Sequence, residues 1–121
     1  MLIRTIVLAI TLALPQLAHA NETWDCDWTV LSTRPDSKPW KSRAYILVVG
    51  QQAFIGHPNA VEMVALKLQS NSATNLSGKG HVYFDKALTL NKRNGTGQYT
   101  TYGNDGHVIS TETGPCSKRK E

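Results

Sequence analysis

Near its start the chain alternates strictly between apolar and polar residues. In the segment TWDCDWTVL (23–31) the even-numbered positions are apolar and the residues between them are polar. The apolar set is Trp24, Cys26, Trp28 and Val30, and the polar set is Asp25, Asp27 and Thr29. A period of two is the spacing of a β-strand that buries one face. We therefore predict a half-buried strand, with Cys26 on the core side and both aspartates facing water.

Two further apolar segments follow a polar stretch. The stretch Ser32–Arg43 is rich in proline, serine and charge, and it predicts an exposed loop with one large apolar residue, Trp40. The run AYILVV (44–49) is short and β-branched, which favours a strand buried on both faces or crossing the middle of a sheet. The segment QAFIG (52–56) predicts a short partner strand that ends at the turn HPN (57–59).

The segment AVEMVALKL (60–68) fits two periods. Asn59 with Glu62 matches a capping box, and Val61, Val64, Ala65 and Leu68 fall on one face of a helix. Val61, Met63 and Ala65 also alternate with other positions, as in a strand. We predict a short helix over 59–68, with a strand as the alternative.

The C-terminal half shows no helical period. Gln69–Gly80 is polar throughout and predicts a loop. Four short segments follow, each bounded by turn residues: HVYFD, ALTLNK, GQYTTY and HVISTET. Short strands separated by turns are typical of an antiparallel meander. The fold class predicted is mainly β, a small antiparallel barrel or sandwich.

Glycines mark two turns in this meander. Gly95-Thr96-Gly97 has the composition of a phosphate loop, but strand residues follow it where a phosphate loop requires a helix. Asn94-Gly95 instead fits a type I′ hairpin turn, which sets Leu90 opposite Tyr99 and Leu88 opposite Thr101. The turn Gly103–Gly106 allows two registers, with Thr101 opposite Val108 or Tyr102 opposite Ile109. The register decides whether Tyr102 belongs to the core or to the surface.

The first twenty residues have the pattern of a secretory signal peptide. Arg4 precedes an apolar run, Pro15 breaks it, and Ala18-His19-Ala20 provides small residues at the cleavage site. The run is too short for a transmembrane helix, which needs about 20 apolar residues. We predict cleavage after Ala20 and an exported product, periplasmic or secreted. Residues 21–117 then form one small β domain, and 118–121 form a charged, flexible tail.

The two cysteines allow one intrachain pairing. Cys26 lies near the start of the mature chain and Cys116 near its end, and export delivers both to an oxidising compartment. A disulfide closing so long a loop stabilises a small domain by about 4–5 kcal/mol in the chain-entropy model. We predict that one Cys26–Cys116 disulfide closes the domain.

Charge excludes one class of partner. The whole chain carries a formal charge of +4, but the body from Asn21 to Ser117 has nine basic and eight acidic residues. A nucleic-acid-binding protein concentrates basic residues with interleaved aromatics on one face, and here they are scattered. We expect no nucleic-acid partner, no membrane insertion after removal of the signal, no cofactor, and a monomer.

Catalytic and metal-binding patterns are weak. His57, His81 and His107 lack metal-ligand spacing, so a metal-handling protein requires them to converge in the fold. Ser77, His81 and Asp85 form a formal Ser-His-Asp set without a nucleophile elbow. No catalytic residue is predicted. An envelope-directed hydrolase remains the alternative from another class.

Aromatic residues give the better functional hypothesis. Trp40 is a large apolar residue in a polar loop, and exposed aromatics on loops are typical of binding sites. Tyr102 and His107 flank the second hairpin turn and are further candidate contacts for a ligand or partner. We expect a non-enzymatic binding or inhibitor module that recognises a protein or an envelope component, using the loops Ser32–Arg43 and Gln69–Gly80.

The arrangement of leader, small β meander and terminal disulfide resembles small periplasmic β-barrel proteins, including bacterial lysozyme inhibitors. Those inhibitors carry a Ser-Gly-x-x-Tyr loop. Here Ser77-Gly78 is followed by Tyr83, two positions later than that pattern requires. The resemblance is one of architecture, no family is assigned, and lysozyme inhibition is one testable instance of binding.

Overall fold

Eight antiparallel strands form a closed barrel. The computed structural model describes residues 21–120, so the predicted signal peptide lies outside the described residues. The strands are β1 (Asn21–Ser32), β2 (Trp40–Val49), β3 (Gln52–Gly56), β4 (Val64–Asn71), β5 (Asn75–Val82), β6 (Phe84–Asn91), β7 (Thr96–Tyr102) and β8 (Val108–Lys118). Each strand pairs with the next, and β8 pairs back with β1. The predicted antiparallel barrel is confirmed, and in the range described no helix is long and apolar enough to span a bilayer.

The disulfide joins the first strand to the last. Cys26 lies directly opposite Cys116 in the β1–β8 pairing, and the two are bonded as predicted. The alternation in β1 is also confirmed, because Trp24, Cys26, Trp28 and Val30 are buried and both aspartates are exposed. At the end of β8, Arg119 donates its backbone N–H to Thr23 and its guanidinium to Asp25. The residue that follows β8, Arg119, is therefore bonded to β1.

Antiparallel connections divide the barrel into two ends. One end, which we call the Trp40 end, carries the connections 33–39, 57–63, Tyr83 and 103–107. The other end, which we call the Asn21 end, carries the start of β1 and the connections 50–51, 72–74 and 92–95. Loops can form one contact surface only when they lie at the same end of the barrel.

The predicted helix at Asn59–Leu68 is wrong. Residues 57–63 form a turn, and β4 begins at Val64. Ile55 lies opposite Val64 and Ala53 opposite Leu66, so pairing with β3 satisfies the backbone and buries Leu66. A strand in this register leaves the apolar side chain of Val61, on which the helical face was built, wholly exposed.

The predicted loop Gln69–Gly80 is also wrong. It contains the end of β4, the turn 72–74 and most of β5. On β5 the inward positions after Leu76 are Gly78 and Gly80, which have no side chain to reveal the period of two. A Cβ on Gly80 would lie 2.7 Å from the Ala65 carbonyl oxygen, so the close approach of β4 and β5 requires glycine there.

The segment HVYFD forms the tip of the hairpin between β5 and β6, not the single strand expected. Val82 pairs with Phe84 across Tyr83, which alone connects β5 to β6 and has a φ of 64°. A positive φ is uncommon for a residue with a Cβ. The aromatic side chain of Tyr83 thereby stands at the tip of the hairpin, 86% exposed.

The turn before β7 is longer than a type I′ turn. Leu88 lies opposite Tyr99 and Leu90 opposite Gly97, a shift of two residues from the predicted register. The Asn91 side chain accepts hydrogen bonds from the backbone N–H groups of Arg93 and Asn94, which stabilises a four-residue connection. A shift of two preserves the faces, so both leucines remain in the core.

The turn before β8 contains a bulge. Thr101 pairs with Ser110, as the second predicted register requires, but Tyr102 pairs with Val108 because the register shifts between Thr101 and Tyr102. Tyr102 also lies opposite the exposed Asp85 and is half-buried. It therefore belongs to the outer surface of the barrel.

An ion pair closes the Asn21 end. The Glu22 carboxylate accepts hydrogen bonds from Lys92 Nζ and from Trp24 Nε1, both at 2.9 Å. Lys92 also donates to Asn71 Oδ1 at 2.7 Å. Burial raises the pKa of Glu22, but the hydrogen bonds and charge of Lys92 and the Trp24 indole outweigh it, so the pKa lies below its ordinary value.

Glu22→Gln is expected to destabilise the barrel by about 1 kcal/mol at neutral pH, since it removes a charge-assisted hydrogen bond. A folded-state pKa below the unfolded one gives stability above the ordinary carboxyl range, and this stability is lost as the pH falls through the folded pKa. Urea unfolding from pH 7 to pH 3 measures both effects. Asp27→Asn, an exposed acid on the same strand, is the control, and an equal pH dependence of the two variants would contradict the prediction.

Candidate functional site

An apolar rim surrounds the Trp40 end. Nine large apolar side chains are exposed in the described part of the chain, and only Val49 lies at the Asn21 end. The other eight we call the apolar rim: Leu31, Trp40, Val61, Met63, Val82, Tyr83, Phe84 and Val108. Exposed large apolar side chains gathered at one end of a domain are typical of an interaction site.

Trp40 is the first residue of β2 and does not belong to a flexible loop. It pairs with Val30, whose side chain is buried, so Trp40 stands on the inner side of the barrel wall at the mouth. Its side chain is 49% exposed. Predicted as a loop aromatic, Trp40 is held by a strand pair and presented at the rim.

Beneath the rim, polar side chains replace the apolar core. Lys86 follows Phe84 on the inner face of β6, and Leu88 follows deeper in the barrel. Glu112 on β8 lies between Tyr99 of β7 and Val30 of β1. We call the polar group at this level the mouth cluster: His57, Lys86, Tyr99, Thr101 and Glu112.

Contacts within the mouth cluster are well defined. His57 Nε2 lies 2.9 Å from Glu112 Oε1. Lys86 Nζ donates to Thr101 Oγ1 at 3.2 Å and stands 5.8 Å from the centroid of the Tyr99 ring. The Tyr99 ring also lies 6.5 Å from that of His57. One imidazole, one ammonium, one carboxylate and two hydroxyls therefore meet inside the mouth.

Two polar groups of the cluster, the Lys86 ammonium and the Tyr99 hydroxyl, are not fully paired. Burial lowers the pKa of Lys86, and the nearby Glu112 charge opposes this only in part. Burial, with the negative charge of Glu112, raises the pKa of Tyr99, so its hydroxyl stays protonated. That hydroxyl is buried and has no hydrogen-bond partner within the described residues. Such a group costs about 1–3 kcal/mol.

Each of the three histidines in residues 21–120 pairs with a different carboxylate. Besides His57–Glu112, His81 Nδ1 lies 2.8 Å from Asp85 Oδ1, and His107 contacts Asp105. The hydrogen bonds and charge of His107 hold the pKa of Asp105 below its ordinary value. The three histidines do not converge, and residues 21–120 contain no cluster of three or more His, Cys, Asp or Glu side chains able to hold a metal.

Trp40, Tyr102 and His107, the contacts predicted from sequence, all lie at the Trp40 end. Tyr102 and Lys86 help to line a depression of about 400 Å³. The His107 ring covers Gly103, where an added Cβ would be 2.6 Å from it. The predicted contact residues thus share an end of the barrel without forming one pocket.

Two sequence patterns come apart in the fold. Of the Ser-His-Asp set, His81 meets Asp85, but the Ser77 hydroxyl bonds to that of Ser70 at 2.8 Å. Ser77 and Gly78 lie within β5, whereas Tyr83 occupies the turn at the Trp40 end. Neither the hydrolase pattern nor the Ser-Gly-Tyr pattern is assembled.

Sequence reasoning missed the mouth cluster. Apart from His57, which follows β3, its members lie at inward positions of their strands, Lys86 in phase with Leu88 and Leu90, and Glu112 in phase with Cys116. A charged residue in the apolar phase of a strand is the signal that was available. Four of the five residues lie on the consecutive strands β6, β7 and β8, whereas His57 follows β3, so only barrel closure brings His57 to Glu112.

Comparison of the chain with protein-family models, with curated proteins and with solved structures finds no match. Function is therefore inferred from the geometry of the Trp40 end.

Proposed function

We propose that this protein is an exported, non-enzymatic binding or inhibitor module, and that the apolar rim is its contact surface. The observation that carries the proposal is the segregation of exposed apolar side chains, eight of nine at the Trp40 end. A disulfide-closed small domain is consistent with an exported protein. A closed barrel is a rigid scaffold, and its connections supply the contacts.

The partner is a protein with an apolar surface of its own. Rim residues come from all four connections of the Trp40 end or from the strand ends beside them, so they are distributed around the whole mouth. A contact surface of that breadth matches the surface of another folded protein. Aromatic side chains such as Trp40 and Tyr83 would contribute most of the binding energy. The turn 72–74 lies at the opposite end and is not part of this surface.

Affinity capture from an envelope extract tests the proposal. The mature domain, residues 21–121, is immobilised as wild type, Trp40→Ala, Tyr83→Ala and Val49→Ala. We expect one species, identified by mass spectrometry, to be retained by wild type and Val49→Ala, and its affinity to fall at least tenfold in each rim variant.

Val49→Ala is the matched control because Val49 is a similarly exposed apolar residue, 43% exposed, at the other end of the barrel. Equal retention by all four proteins would show that the rim is not the contact surface.

Lysozyme is the first defined protein to assay, since the architecture resembles that of lysozyme inhibitors.

A further inference from the structure

The partly buried lysines at the two ends of the barrel have different partners. At the Asn21 end, Lys92 is paired with the Glu22 carboxylate. At the Trp40 end, Lys86 bonds to a threonine hydroxyl, and no carboxylate oxygen of residues 21–120 lies within 4.0 Å of its Nζ. A partly desolvated ammonium whose nearest negative charge, Glu112, is not in direct contact with it gains stability when an anion binds to it.

Tyr99 supplies a second, independent observation. Its side chain is only 3% exposed, and its hydroxyl has no partner in the described chain. The Lys86 ammonium stands over its ring, so the unpaired charge and the unpaired hydroxyl belong to one place in the fold. Buried polar groups in proteins are almost always paired, and an exception calls for a reason.

The charge of the mouth selects an anion. Glu112, the one carboxylate of the cluster, is already engaged by His57 at 2.9 Å. Lys86 and His57 are the two basic side chains of the cluster, and Glu112 is its single acidic one. With the Glu112 carboxylate bonded to His57, the Lys86 ammonium has only a neutral hydroxyl as its hydrogen-bond partner, which favours an anion over a cation at this place.

We infer that the mouth cluster binds a carboxylate through Lys86, Thr101 and Tyr99, and that an acidic side chain of the rim's protein partner supplies it. This inference rests on the proposed function. A single ammonium with hydroxyl donors matches a monoanion such as a carboxylate. The carboxylate would enter between the inward-facing rim residues Trp40, Val82 and Phe84, which lie above the cluster.

The structure favours a protein as the source over a fatty acid. Below the cluster the barrel is filled by side chains less than 2% exposed, among them Trp28, Ile55, Leu66 and Leu88. An eight-stranded barrel packed in this way has no chamber for an alkyl chain. The apolar surface lies outside the mouth, where a partner's surface surrounds an inserted acidic side chain.

Small probes test the site without the partner. The mature domain is titrated with 3-methylbutanoate and with its neutral isostere 3-methylbutanamide, and backbone amide shifts are followed by NMR. We expect the carboxylate to shift the amides of Lys86, Tyr99 and Thr101 with millimolar affinity and the amide probe to bind at least tenfold more weakly. Lys86→Gln is expected to abolish the difference, and Lys67→Gln, an exposed lysine on β4, to preserve it.

Tyr99→Phe separates a binding role from a structural one. We expect this variant to be at least as stable as wild type, because it removes the unpaired hydroxyl, and to bind the carboxylate severalfold more weakly. Unchanged carboxylate affinity in Tyr99→Phe would remove Tyr99 from the site, and equal binding of the two probes would overturn the inference. Octanoate binding a hundredfold more tightly than 3-methylbutanoate would overturn the assignment to a protein partner.

Capture experiments distinguish the two proposals. Lys86→Gln is expected to weaken binding of the captured partner at least tenfold, and Lys67→Gln to leave it unchanged. Loss of the partner in Trp40→Ala but not in Lys86→Gln would overturn the carboxylate site while supporting the rim. Retention of the partner by Trp40→Ala and Tyr83→Ala would overturn the proposed function itself.

Discussion

Replacing both cysteines by alanine is expected to lower the free energy of unfolding by about 4–5 kcal/mol. The Cys26–Cys116 bridge spans a sequence separation of 90, and in the chain-entropy model its removal releases that loop in the unfolded state. A small domain has only about 5–15 kcal/mol of stability in total. We therefore expect a barrel that is marginally folded at room temperature.

Guanidinium unfolding of wild type and of Cys26→Ala/Cys116→Ala, followed by circular dichroism, measures this loss. Wild type with and without reductant provides the matched comparison, because it separates the bond from the packing of the sulfur atoms. A loss below about 1 kcal/mol would mean that the β1–β8 seam is held by its hydrogen bonds alone, contrary to the chain-entropy account.

Trp28→Ala is expected to cost about 3–5 kcal/mol, the range for truncating a buried aromatic side chain. Trp28 is 0% exposed, and its ring is stacked with that of Tyr99 at a centroid distance of 6.2 Å. Its indole N–H lies 3.2 Å from Cys116 Sγ. On β7, Gly97 leaves room for the indole, since an added Cβ would lie 3.0 Å from its Cζ2 atom.

Trp40→Ala is the control for Trp28→Ala, because it is the same substitution at a half-exposed position on the neighbouring strand. We expect a change in stability within about 0.5 kcal/mol, as for most surface substitutions. Comparable losses in the two variants would show that Trp40 serves the fold and would weaken its assignment to the contact surface. Chemical unfolding with fluorescence detection compares them directly.

The proposed function depends on an asymmetry between the two ends of the barrel. At the Asn21 end, Glu22 and Lys92 pair with each other, and Trp24 and Asn71 complete their hydrogen bonds. At the Trp40 end, Lys86 and the Tyr99 hydroxyl are left without ionic or hydrogen-bonded partners of comparable strength among the described residues. Of the nine large apolar side chains exposed in the described residues, eight lie at this end of the barrel. This is the expected arrangement of a surface completed by a partner.

The local pattern of apolar and polar residues correctly predicted those strands in which the side chains themselves show the period of two. β1 alternates tryptophan and cysteine with aspartate, and β6 alternates leucine with polar residues, so both strands and their buried faces were predictable. β5 was missed because glycine occupies two of its inward positions. The helix near Asn59 was predicted because short apolar segments fit both periods, and pairing with β3 decided for a strand.

The sequence by itself determined the β class, the half-buried first strand, the terminal disulfide and the candidate contact Trp40, because each depends on neighbouring residues or on a single possible pairing. Only the tertiary structure decided that Trp40 shares an end with the other rim residues and that Lys86, Tyr99, Glu112 and His57 meet inside the mouth. These residues are separated by up to 55 positions in the sequence, as in the His57–Glu112 pair. Strand order and register bring them together, and neither is encoded in any one segment.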